Sequence, residues 1–149
     1  MNLRLPETIY LKATTCLPAL FLACCLTGAN LAHADPLPAR SYSFAGNYRT
    51  LVEDQKAPAA VARCIATAHD YAAKGRLYDR LGFTRDDIVA AVAAPHQGAF
   101  SATDPRAVTS TLAISGEGRR RNSGDWVKIT LRCGERADRL AAIELVARP

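Results

Sequence analysis

The amino-acid sequence predicts an α+β domain: N-terminal helices packed on a three-stranded antiparallel β-meander and stapled to it by one disulfide, Cys64–Cys133. Three observations carry this. The stretch Asp125 to Gly134, D-W-V-K-I-T-L-R-C-G, alternates for eight residues, with Val127, Ile129, Leu131 and Cys133 on one side and Trp126, Lys128, Thr130 and Arg132 on the other, the period of a half-buried strand. Between Pro58 and Gly75 the residues Val61, Cys64, Ile65, Ala68 and Ala72 recur as one apolar helical stripe. Finally, only Cys64 and Cys133 remain of the five cysteines once residues 1–34, which read as an export signal, are set aside.

That signal has Arg4 and Lys12 before an apolar run from Ala13 to Leu26, then Leu31-Ala32-His33-Ala34 ahead of Asp35. The run is short for a bilayer span, which takes about 20 apolar residues, and the small-x-small pattern predicts cleavage after Ala34. A periplasmic or secreted location is therefore expected. Two cysteines sent to an oxidising compartment read as a disulfide. Closing a loop of 69 positions stabilises a fold by about 4 kcal/mol on the chain-entropy estimate.

Asp35 to Arg40, D-P-L-P-A-R, starts an extended leader expected over residues 35–45, with a single domain over 46–149. Asn47 is the expected N-cap of a helix of about two turns carrying Tyr48, Leu51, Val52 and Gln55. The second helix starts at Pro58 and stops at Gly75, with Arg63, Thr67, Asp70 and Lys74 toward water. Arg76 to Phe83 reads as irregular. Thr84 is the expected N-cap of a third helix running through Ile88, Val89, Ala91 and Val92 to Pro95, and His96 to Ala107 reads as a loop. Val108, Ser110, Leu112 and Ile114 alternate into a strand, G-E-G-R-R-R-N-S-G is a flexible hairpin connection, and a last strand follows from Leu140 to Arg148.

The charge is uneven. From Asp35 onward there are 17 basic and 13 acidic residues, net +4, and the whole excess falls after Pro105 in the β half. Arg119, Arg120 and Arg121, with Trp126, Lys128 and Arg132 on the outward side of the adjoining strand, form the candidate binding surface: guanidinium forks suit phosphate and carboxylate, and an exposed indole offers a flat contact. The expected partner is an envelope or host protein, or an anionic envelope polymer. Nucleic acid is not expected, because net +4 is modest.

Known catalytic signatures are missing. There is no G-x-S-x-G, and G-E-G-R-R-R has Arg121 where a nucleotide fingerprint needs its third glycine. Cys64 and His69 lie five positions apart, about 140° around a helix, which suits no shared metal, so neither metal nor cofactor is expected. The alternative reading is a small periplasmic hydrolase using His69 or His96. Taken together, A-R-C-I-A-T-A-H (Ala62 to His69), D-W-V-K-I-T-L-R-C-G and the following L-A-A-I-E-L resemble the BspC-like small exported domain of Gram-negative bacteria over roughly Ala45 to Val146. The resemblance implies an exported bacterial protein and brings no activity, substrate or catalytic residues.

Overall fold

A computed structural model describes residues 35–149; the expected signal over residues 1–34 lies outside the described residues. The order of elements is α1 (Tyr42–Glu53), α2 (Ala59–Lys74), β1 (Tyr78–Gly82), α3 (Arg85–Val89), β2 (Val92–Ala99), β3 (Ala107–Arg120), β4 (Trp126–Arg136) and β5 (Arg139–Ala147). The class is α+β, as expected. The sheet, however, has five antiparallel strands among the described residues and not three.

The 14-residue β3 organises the sheet. All of β4 lies along one of its edges, from Ser110↔Glu135 to Arg119↔Trp126, and β5 then pairs with β4. The other edge of β3 is shared. β2 covers its first half and β1 its last residues. The five-residue helix α3 fills the gap, held by a capping box between Thr84 and Asp87 and buried through Ile88. Thr84 is thus the N-cap that was expected. The helix stops at Val89, because the chain must turn back to pair Val92 with Ala113.

Neither added strand shows the alternation that marks a half-buried strand. A bulge between Tyr78 and Arg80 puts the two buried residues of β1, Tyr78 and Leu81, three positions apart. In β2 every residue except His96 is exposed, so no apolar period exists to be read. Pro95 is tolerated there because β2 is an edge strand, where a missing N–H breaks no ladder.

The helices form two layers on one face of the sheet. α2 buries Val61, Cys64, Ile65, Ala68 and Ala72 against Leu112, Ile114, Ile129, Leu131, Cys133 and Ile143. The Cys64–Cys133 disulfide, with Cα atoms 6.1 Å apart, joins this helix to β4 inside that core. On its other side α2 is covered by α1, and here the sequence reading needs correction. Asp70 and Thr67, expected to face water, are 5% and 8% exposed. Both oxygens of Asp70 accept from Ser41, one from its backbone N–H at 2.8 Å and one from its hydroxyl. Ser41, not Asn47, is the N-cap of α1, its hydroxyl also accepting from the Ser43 N–H. The helix therefore begins inside the supposed leader and runs 12 residues. The rest of the leader is tied down as well, with Leu37 packed on the core and Asp35 accepting from the Tyr71 hydroxyl.

A second, smaller cluster of Phe100, Val108 and Ala142 lies on the reverse of the sheet, since Ala142 points opposite to its neighbour Ile143. Gly134 makes room for it. A Cβ there would come within 2.6 Å of Val108 and 2.7 Å of Phe100.

Candidate functional site

Alternation along β4 sends Trp126, Lys128 and Arg132 to the face of the sheet away from α2, and the register brings Arg119 directly opposite Trp126. Four of the six expected surface residues are therefore gathered on one face. The other two are not. β3 continues as a strand to Arg120, so the expected flexible connection shrinks to residues 121–125, closed by Arg120 N–H to Asp125 and Gly124 N–H to Arg120. Arg120 follows the opposite alternation to Arg119 and is exposed. Arg121 turns back: its guanidinium donates to the carbonyls of Ala72, Ala73 and Gly75 at 3.1 to 3.2 Å and to Tyr78 at 3.4 Å. It caps the C-terminal end of α2, where the last carbonyls have no partner within the helix.

The three cations on the outward face each have a carboxylate. Arg119 makes a two-pronged contact with Asp79, Nε to Oδ1 at 2.9 Å and Nη2 to Oδ2 at 2.6 Å. This hydrogen bond holds the Asp79 carboxyl below its usual range and raises Arg119. Lys128 pairs across the strands with Glu117 at 2.7 Å. Arg132 pairs with its β5 neighbour Glu144 at 3.0 Å, its guanidinium carbon 5.2 Å from the centre of the Phe100 ring. Among these ion pairs Trp126 is 49% exposed, its ring running over Gly82 of β1, where a Cβ would sit 3.6 Å away. The face thus carries a half-exposed indole at one end and a row of matched charges along the strand from it.

The two histidines belong to different elements. His69 on α2 stands edge-on to Phe83, ring centres 6.2 Å apart, and burial lowers its pKa despite the opposing pull of Asp70. His96 on β2 shares its Nε2 with the Ala99 carbonyl at 2.8 Å. Neither ring is hydrogen-bonded to a hydroxyl, thiol or carboxylate among the described residues, and such a contact is what activates a nucleophile. No three His, Cys, Asp or Glu side chains converge on a metal position among the described residues.

Sequence reasoning missed a groove of about 720 Å³ at the C-terminal end of α2, between the leader and the start of β1. Leu37, Leu77, Tyr78 and Leu145 supply apolar walls, and Lys74 and Arg76 flank the helix end. The one signal for it was Leu77, an apolar residue between Arg76 and Tyr78 with no periodic partner; it is 72% exposed.

The chain matches no protein-family model, no curated protein and no solved structure.

Proposed function

We propose that this chain is an exported, periplasmic or secreted binding domain, of the kind implied by its resemblance to the BspC-like domain, and that it engages an envelope or host protein through the outward face of the sheet. Support for export comes from the signal-like residues 1–34 and from the disulfide, a bond that persists outside the cytoplasm. In addition, no described helix is long and apolar enough to cross a membrane.

The observation that carries the choice of face is Trp126, half exposed beside the Arg119–Asp79 and Lys128–Glu117 pairs at the start of β4, with the Arg132–Glu144 pair farther along the same face. Tryptophan is the residue type most enriched where interfaces concentrate their energy. The pairing also favours one of the two partner classes. An anionic polymer binds by displacing counterions from unpaired cations, whereas here Arg119, Lys128 and Arg132 already hold carboxylates at 2.6 to 3.0 Å. Paired charges in a row beside an exposed indole suit a protein surface of complementary pattern.

The test is retention of a companion protein from the native envelope or host extract on the immobilised mature domain. The Trp126→Ala variant is expected to lose that companion, and 0.5 M salt, roughly a 4 Å screening length, to weaken it only slightly. Equal retention by Trp126→Ala, or capture of a polysaccharide or lipid polymer that elutes with salt, overturns the reading.

A further inference from the structure

We infer that the groove at the C-terminal end of α2 is a binding site for a small apolar carboxylate, a molecule of fatty-acid type. This goes beyond the protein-binding face, from which the groove is separate in both residues and chemistry.

The groove has the size of a small-molecule site, about 720 Å³, within the range of roughly 300 to 1,000 Å³ usual for such pockets. Part of its wall is apolar. Leu37 from the leader, Leu145 from β5, and Leu77 and Tyr78 from the start of β1 all line it. Leu77 is 72% exposed without a packing partner in the core clusters, an arrangement that a buried hydrocarbon chain would relieve.

The charges select the head group. A helix C-terminus normally carries partial negative charge and repels an anion. Here the carbonyls of Ala72, Ala73 and Gly75 are taken up by Arg121 reaching in from the β3–β4 turn. Lys74 and Arg76, on either side of Gly75, form no ion pair among the described residues; Lys74 makes only a 3.4 Å contact with the Ala39 carbonyl. Asp35, the one acidic residue on the lining, has an oxygen occupied by the Tyr71 hydroxyl at 3.1 Å. Two uncommitted cations beside a partly apolar cleft therefore match one carboxylate attached to a hydrocarbon chain.

Calorimetric titration of the oxidised mature protein with dodecanoate, below micelle formation, tests this, beside dodecyltrimethylammonium as the same chain with opposite charge. Saturable one-to-one binding of dodecanoate is expected, with the cationic probe at least about tenfold weaker. Lys74→Ala/Arg76→Ala and, separately, Leu77→Asp are each expected to weaken dodecanoate by about tenfold or more. All three positions are exposed, so folding is checked simply by an unchanged circular-dichroism spectrum. Trp126→Ala should leave the affinity unchanged, which keeps failure here distinct from failure of the protein-binding face. Absence of saturable dodecanoate binding, equal binding of the cationic probe, or unchanged affinity in both groove variants overturns the inference.

Discussion

Asp70 shows how far a single side chain can depart from its position on a helical wheel. It lies off the apolar stripe of α2, yet it is 5% exposed because α1 packs there, and it accepts two hydrogen bonds from Ser41. Periodicity registers one buried face of a helix and is silent about a second neighbour arriving from elsewhere in the chain. Asp70→Ala leaves the Ser41 N–H and hydroxyl without acceptors; a loss of about 1–3 kcal/mol is expected, measured by urea unfolding, with Asp70→Asn recovering part of it. The adjacent His69 gives a pH dependence. Burial lowers its pKa from 6.5, so on acidification the unfolded chain takes up a proton before the folded one does. Stability contributed by the neutral ring is complete above pH 6.5 and declines as pH falls below it. Urea midpoints measured between neutral and mildly acid pH should show this decline, and His69→Gln should flatten it. A slope unchanged in that variant would assign the effect to other groups. At this scale the candidate surface was half legible: alternation put Trp126, Lys128 and Arg132 together, but it gives no sign of the carboxylates of Asp79, Glu117 and Glu144 that pair with the cations.

Among the elements, those that were readable carry a periodic apolar face against the core: α2, which α1 also covers on its other side, β4 and the alternating part of β3. β1 and β2 were not, the first because a bulge breaks its period and the second because it has almost nothing buried. β2 is held instead by its backbone ladder to β3 and by the loop after it, where Asp104 accepts from both the backbone and the guanidinium of Arg106. Arg121 connects two elements that no local pattern links, the β3–β4 turn and the end of α2. Arg121→Ala is expected to cost about 1 kcal/mol, a partly exposed charge-assisted contact being worth less than a buried one. Native-state hydrogen exchange should show the loss as faster opening of the last turn of α2, and uniform destabilisation without that local change would contradict the capping role. The sheet is equally exacting at Gly134. Alanine there meets Val108 and Phe100 at under 3 Å, and overpacking of about 1–3 kcal/mol is expected, visible as a lower thermal midpoint.

For the molecule as a whole, the α+β class and the Cys64–Cys133 link were readable because both rest on composition and spacing. The strand count was not, since it depends on which edges of β3 are left open. Reduction, or the double Cys64→Ala/Cys133→Ala variant, is expected to remove about 4 kcal/mol by the entropy of closing a 69-residue loop, checked by comparing urea midpoints with and without reductant. Equal midpoints would mean that the packing of α2 on the sheet suffices alone. The same link has a topological consequence. β1, α3, β2, β3 and the first part of β4 all lie on the stretch of backbone between the two half-cystines. A protease that nicks the chain once anywhere in that stretch, for instance at the exposed tip near Ala102, leaves two fragments that still travel as one species until a thiol separates them.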